Sequence, residues 1–385
     1  MSQFISNALS GLVQSDIRRM TRECEKVGGI NLGQGICDMP TLDLVSEGAR
    51  QAIADQKSTY SYPEGIPELR EAMARKLKRD NGIEASATSE IVVTAGATGA
   101  FVATIAALLN PGDGILIMEP YYGYHLNIAG LAGLKPQFLS LKPPEFELTK
   151  ERLEAAITEE TRAMVVCTPS NPSGKMFSES ELQIIADIAN DKDLLIISDE
   201  IYEYIRYDGR PHISPATVGG LWDRTVSIMG LSKTFSITGW RMGYAVAPAH
   251  LAKPITLVND LYYICAPTPL QHGVAAGFEA PKSYFNSLQT VYQGKRDRIC
   301  DALTKAGLPP IVPQGAYYVL ADVTRLGFDT ATDASAAILK RAGVASIPGT
   351  SFFQGAAGEH LVRFCFAKED DALSQACAQL ESLRA

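Results

Sequence analysis

No apolar run in this 385-residue sequence approaches the roughly 18 residues that a membrane-spanning helix needs, so no transmembrane anchor is expected. Basic residues are the minority, 35 Lys and Arg against 43 acidic residues for a formal net charge of −8, and they form no dense block. A dedicated nucleic-acid binder is therefore not expected. Seven cysteines (Cys24, Cys37, Cys167, Cys265, Cys300, Cys365, Cys377) are an odd number without CxxC spacing, which suggests neither a disulfide framework nor a zinc cluster. Reduced, packed thiols in a cytoplasmic protein are the expectation. The five histidines are scattered and form neither HxH nor HExxH, so no metal site is expected. The opening MSQFISNALSGLVQSDIRRM lacks the basic-then-apolar order of a signal peptide. Repeats, low-complexity tracts and Gly/Ser-rich linkers are absent too, so the two or three domains this length allows should pack directly on each other.

What is present is an alternation of Val- and Ile-rich runs with helical stretches. The runs are 91–94, 114–118, 135–139, 163–167, 194–198, 225–229 and 241–247. They predict an α/β protein with a mostly parallel sheet covered by helices on both faces. Residues 66–81 carry Leu69, Met73 and Leu77 at helical spacing with Asn81-Gly82 as a stop, and 178–190 opens with the capping box Ser-x-x-Glu. Beyond Ala266-Pro267-Thr268-Pro269 the character changes: long helices near 270–278 and 284–306 precede a strand at 316–322. A smaller α+β unit is expected there, joined by the N-terminal segment.

Three segments carry candidate chemistry. Ser232-Lys233-Thr234-Phe235 follows a predicted strand, and a lysine leaving an apolar strand among small and apolar residues is a candidate for a depressed pKa and Schiff-base formation. Leu194 to Glu200 ends an apolar strand in two carboxylates, at the edge where open α/β sheets bind ligands. A carboxylate there can hold a metal, act as a base, or pair with a protonated ring nitrogen. With a lysine one strand later, the last suits pyridoxal phosphate, which needs a covalent anchor and an electron sink kept protonated. Thr94-Ala95-Gly96-Ala97-Thr98-Gly99 joins a strand to a helix expected from about Ala100, and its small residues let backbone N–H groups approach an anion.

Together these residues resemble the class I/II aminotransferases, pyridoxal-phosphate enzymes of fold type I that include aspartate, aromatic and kynurenine aminotransferases. The resemblance rests on NLGQG (31–35), YSYPEGIPELREA (60–72), EPYY (119–122), SNPSG (170–174), SDEIY (198–202), SKTFSITGWRMGY (232–244) and VRF (362–364), in the family's order. It implies a large cofactor-binding domain over 45–275 with a mostly parallel seven-stranded sheet, and a small α+β domain from 1–44 and 276–385.

Residue by residue, the resemblance makes Lys233 the Schiff-base lysine and proton carrier, Asp199 the partner of the pyridine nitrogen, and Tyr202 and Asn171 the partners of the cofactor's 3′-oxygen. Tyr122 would stack on the ring, Gly96, Ala97 and Thr98 would form the phosphate turn, and Arg241 would neutralise the phosphate. Tyr60 would reach the phosphate of a neighbouring subunit, which implies a homodimer with shared sites. Arg363, inside an otherwise apolar strand where an unpaired charge would be costly, would grip the substrate α-carboxylate, beside Gly35 and Asn171; the alternative there is a partly exposed edge arginine with a salt-bridge partner.

Two positions depart from the family pattern. Gly230 stands where a serine often adds a hydroxyl to the phosphate, so that contribution falls to Thr98. Cys37-Asp38-Met39 replaces the usual Pro-Asp-Phe at the substrate entrance, and packing is the reading for Cys37. The implied activity is transfer of an amino group from an L-amino acid to a 2-oxo acid by a ping-pong mechanism. Tyr121, Tyr122, Tyr124 and the segment Leu261-Tyr262-Tyr263-Ile264 tilt the donor toward aromatic or apolar, with aspartate and glutamate as further donors. A β-lyase acting on cysteine conjugates, a cyclopropane-forming synthase and a non-catalytic pyridoxal-phosphate-binding regulator are the alternatives on the same fold.

Overall fold

The seven apolar runs become strands, most of them because Val, Ile and Leu, buried on both faces, suit a sheet covered on two sides, while the run at 135–140 forms a partly exposed edge. The structure is a computed structural model that describes residues 4, 6–9 and 16–384. Most of the opening segment read for a leader therefore lies outside the described residues.

After the short β1 (Ile30–Asn31), the strands β2 (Ile91–Ala95), β3 (Gly114–Glu119), β4 (Lys135–Ser140), β5 (Thr161–Cys167), β6 (Leu195–Asp199), β7 (Thr225–Gly230) and β8 (Met242–Val246) follow in chain order. β2 to β8 form one sheet in the order β2-β8-β7-β6-β5-β3-β4, in which only β8 runs against its neighbours. The expected strand 241–247 begins at Met242 because Arg241 sits at φ +54°, outside the extended region.

Helix boundaries moved in ways that matter for the site. The stretch expected at 66–81 is an α-helix over Pro67–Lys76, continued by a wider π-type turn, Leu77–Asn81, that Gly82 ends in the left-handed conformation. The capping box is present as read: the Ser178 hydroxyl accepts from the Glu181 amide, and the Glu181 side chain accepts from the Ser178 amide. The helix expected from about Ala100 begins at Gly96, so Gly96, Ala97 and Thr98 form its first turn.

Past the helices Thr268–Gly277 and Lys282–Ala306, β9 (Pro310–Ile311), β10 (Tyr318–Asp322), β11 (Val344–Ala345), β12 (Ile347–Pro348) and β13 (Leu361–Cys365) complete the strands. An antiparallel sheet has the order β12-β13-β10-β9, which places β13 in its interior. β1 pairs with β11 in parallel, so the segment before the large sheet adds to the C-terminal part of the chain. One cluster of buried side chains joins Leu32 and Tyr202 to Tyr317, Val319 and Phe364, packing the two sheets' surroundings together without a linker.

All seven cysteines are unpaired, and no group of three metal-ligating side chains occurs among the described residues. Among the same residues no helix is long and apolar enough to cross a membrane.

Candidate active site

Parallel strands end together, so the residues that follow β5, β6 and β7 meet along one edge of the sheet. There a cavity of about 360 Å³ is lined by Asn171, Asp199, Tyr202 and Lys233 from the large sheet, and by Tyr318 and Arg363 from the small one. Gln34, Gly35 and Ile36 close it from the N-terminal side, and Ile17, Tyr122 and Tyr124 form a further wall.

Lys233 projects from the turn after β7, and its Nζ donates to the Gly35 carbonyl at 3.2 Å, above the face of Tyr317. Burial pulls this amine from the ordinary 10.5 down to about 8. An amine so placed is a nucleophile and base near neutral pH. The shift also carries a stability signature. In cofactor-free protein the folded state releases this proton near pH 8 whereas the unfolded chain keeps it to about 10.5, so the unfolded state binds more protons between these values. We expect the stability of cofactor-free protein to gain from this group as pH rises from about 8 to 10.5, with no further change below 8. A denaturant series in which Lys233→Met shows the same pH slope as the parent would contradict it.

The two carboxylates at the end of β6 part company, as strand alternation requires. Asp199 lines the cavity and is bonded to His125 Nε2 at 2.9 Å. Glu200 is 0 % exposed and faces away, accepting from His212 Nε2 at 2.7 Å and Ser214 Oγ at 2.9 Å. His125 is buried against Phe101 and is the functional neighbour that sequence reading missed, since no local spacing connects it to Asp199. Through that bond it fixes the carboxylate's orientation. The Tyr202 hydroxyl donates to that of Tyr318 at 3.2 Å, and burial pushes both phenols up, so both stay protonated donors. Tyr122 packs face to face with Tyr124 and edge-on to His125.

Arg363 is 1 % exposed, clamped between the rings of Tyr318 and Phe352. Its guanidinium donates to Asn171 Oδ1 at 2.9 Å and the Gly33 carbonyl at 2.7 Å, while its buried Nε has no partner. The alternative of an edge arginine with a salt-bridge partner does not hold: β13 is an interior strand, and no acidic side chain pairs with Arg363 among the described residues. A buried cation without a counter-ion is costly unless a ligand supplies one. Gly35 must be a glycine here, because a Cβ would lie 1.9 Å from the Tyr318 hydroxyl oxygen.

The turn after β2 is built for an anion. Gly96 takes φ +74°, and a Cβ on it would lie 2.7 Å from Arg241 Nη2, so the guanidinium rests against the first turn of the helix. Gly243 likewise leaves room for the Ala97 amide, 2.5 Å from where its Cβ would be.

The departures noted in the sequence have structural reasons. A side chain at 230 would place its Cβ 2.8 Å from the Cβ of Ile201. Gly230→Ser is therefore expected to cost about 1–3 kcal/mol of stability by overpacking, only a small part of it recovered when Ile201 is also cut to alanine, which keeps the Cβ, as read by urea unfolding. Cys37 is buried, with its Sγ 2.9 Å from the Tyr292 hydroxyl, and does not line the cavity. Of the aromatic residues read toward the donor, Tyr121 and 261–264 do not line the cavity, Leu261 being 76 % exposed; Tyr60, expected to act on a neighbouring subunit, is 78 % exposed and does not line its own chain's cavity.

An amine with a lowered pKa, a carboxylate held by an imidazole, and a guanidinium at a helix N-terminus fit pyridoxal phosphate at its reactive carbon, ring nitrogen and phosphate. Comparison with known proteins agrees. The sequence profile "Aminotransferase class I and II" matches residues 27–380. The chain belongs to that family. It is a pyridoxal-phosphate-dependent transaminase of fold type I.

This transaminase is 36 % identical over 378 residues to mouse "Kynurenine--oxoglutarate transaminase 3", covering 90 % of the chain and 83 % of that protein. It is 34 % identical to "Aspartate aminotransferase" of Pyrococcus abyssi, over 92 % and 91 % of the two chains. The solved structure of N-succinyldiaminopimelate aminotransferase from Mycobacterium tuberculosis superposes with a TM-score of 0.95 at 32 % identity, covering 98 % of this chain and all of that one.

Proposed function

We propose that this transaminase takes the amino group of an L-amino acid with an aromatic or otherwise apolar side chain and passes it to a 2-oxo acid in a ping-pong cycle. The observation that carries this reading is the buried, acid-free guanidinium of Arg363 in the same cavity as the Lys233 amine. Ile17, Ile36, Ile201, Tyr122 and Tyr124 give the wall an apolar and aromatic part beside the uncharged Gln34, Cys167 and Thr238, and Lys233 and Arg363 are the only Lys or Arg among the described lining residues. A side-chain carboxylate would meet no further cation from these groups.

Pyridoxal phosphate, when bound, supplies an electron sink that weakens bonds at the substrate α-carbon. In the roles we assign, Asp199, steadied by His125, would accept from the ring N–H and so keep the ring protonated. Tyr202 and Asn171 would donate to the 3′-oxygen, Tyr122 would stack on the ring, and the Gly96-Ala97-Thr98 turn with Arg241 would hold the phosphate. Arg363 and Asn171 orient the substrate carboxylate beneath Gly35. Lys233 Nζ, freed once substrate binds, would move the proton between the substrate α-carbon and the cofactor's C4′, in one direction in the first half of the cycle and in the other in the second.

Our proposed division of the chain is a cofactor-binding domain over 45–275 and a small domain from 1–44 and 276–385. A homodimer is also proposed. Tyr60, Tyr62, Leu257, Leu261 and Tyr262 are large, exposed and apolar or aromatic, an arrangement that suits an interface. Thr268 Oγ1 ties their two segments by donating to the Thr59 carbonyl, and the Tyr263 ring passes 3.6 Å from the Cβ position of Gly99, beside the phosphate turn. A second copy docked there would bring its Tyr60 to this phosphate site. Seven unpaired thiols, of which five are buried, suit a reducing compartment, and we place the enzyme in the cytoplasm.

The test is the visible absorption of cofactor-loaded enzyme with each amino acid added singly. Bleaching by aromatic and apolar donors, reversed by a 2-oxo acid, is the expected result. Bleaching by aspartate alone would reject the donor class, and ammonia release without any 2-oxo acid would favour β-lyase chemistry.

A further inference from the structure

A second cavity, of about 180 Å³, shares no lining residue with the active site and lies where the Leu77–Asn81 turn, the segment after β6 and the start of the Lys282–Ala306 helix meet. Its acids are already neutralised. Asp80 is held by Arg79 through Nε and Nη2, both at 2.8 Å, and accepts the Tyr204 hydroxyl. Glu203 has one oxygen on Lys76 and the other on Asn81 Nδ2. Two lining cations are left over. Among the described residues Lys282 has no carboxylate partner, and the Arg206 side chain donates only to the Arg210 carbonyl, at 3.3 Å.

Two buried nitrogens on this lining are also without partners. One is Arg206 Nε, an obligatory donor, and the other is Nδ1 of His212, whose side chain is only 4 % exposed. The opposite nitrogen of His212 is bonded to the fully buried Glu200 carboxylate. With Nε2 on Glu200, Nδ1 is the ring's remaining hydrogen-bonding atom. Buried polar atoms of this kind are rarely left unsatisfied, because each costs its full desolvation.

We propose that this cavity binds a tetrahedral oxyanion of the phosphate class, held by Arg206, Lys282 and His212. The groups come from two segments, the one after β6 and the start of the Lys282–Ala306 helix, and Arg206 and Lys282 carry two positive charges, which a dianion with oxygens in several directions matches better than a planar monocarboxylate. The space exceeds that of a lone phosphate, so free phosphate and a phosphomonoester are the two sources of one chemistry. The site is independent of the donor proposed above. It adjoins the catalytic carboxylate through the chain, since His212 bonds Glu200, the residue after Asp199.

The test uses holoenzyme, whose own phosphate turn is filled by the cofactor. Inorganic phosphate and, separately, glycerol phosphate are titrated by calorimetry at constant ionic strength set with chloride. Saturable binding at one site per chain is expected, weakened at least about tenfold by Arg206→Gln or Lys282→Gln and unchanged by Arg363→Gln. Tighter binding of glycerol phosphate assigns a phosphomonoester, and tighter binding of phosphate assigns the free ion. The proposal is overturned by equal binding in parent and Lys282→Gln, by loss of binding in Arg363→Gln, or by weak unsaturable uptake, the mark of an adventitious ion only. Lys282 is exposed, so its replacement keeps the test open even where Arg206→Gln fails to fold.

Discussion

Replacing Lys233 with alanine is expected to lower kcat by about four orders of magnitude or more while leaving the fold intact. The amine would serve twice, as covalent anchor and as the group that moves the α-proton, and a positioned base alone is worth about 10²–10⁴-fold. Its value depends on the cavity, because burial is what brings it down to about 8 and leaves a useful fraction unprotonated near neutrality. The same burial penalises the cation, so cofactor-free Lys233→Ala should melt no lower than the parent at neutral pH. A small primary amine added at high concentration should restore part of the rate by entering the vacated space. Steady-state kinetics on cofactor-loaded variant decide the matter: a kcat within tenfold of the parent would remove Lys233 from the mechanism.

Arg363→Met is expected to lower kcat/KM for the amino donor by about 10²–10³-fold, the cost of taking one partner from a buried charge pair. Arg363→Lys should recover little of it, since a point charge cannot reproduce two parallel N–H bonds to a carboxylate. Stability should move the other way. Without ligand the guanidinium is a buried charge with no acidic partner and an orphaned Nε, so the apolar substitution should leave cofactor-free protein as stable or more so. A sharper readout is discrimination: the parent should prefer an amino acid over the amine that lacks its carboxylate, and in Arg363→Met that preference should collapse. A variant that lost activity equally toward both would show that Arg363 acts on the fold.

Much of the framework was legible because its cause is local. The Val- and Ile-rich runs mark all seven strands of the large sheet to within about two residues, and the Ser178 capping box marks a helix start. Errors fall where tertiary contact overrides local preference. Arg241 leaves the strand pattern because its guanidinium turns toward Gly96, and the helix expected from about Ala100 starts four residues early at that glycine. His125 carries no signal at all in sequence, since the bond to Asp199 spans 74 residues and exists only when β3 and β6 share a sheet. The tyrosines show the opposite error. Those at 262 and 263 look like the ones at 122 and 124, but only the latter pair line the cavity, a difference that composition cannot express.

By itself the sequence determined the class of architecture, the order of the sheet-forming runs and the residue types from which a pyridoxal-phosphate site is made. Periodicity, turn chemistry and motif spacing are properties of neighbours along the chain, and they survive without a fold. The tertiary structure decided what those groups face: that Asp199 looks into the cavity and Glu200 away from it, and that Arg363 lies in an interior strand with no acid to pair with. It also decided that Lys233 is buried enough to loosen its proton. Burial and charge pairing depend on elements brought together across hundreds of residues, and these set the pKa values and the unmet hydrogen bonds on which the chemistry rests.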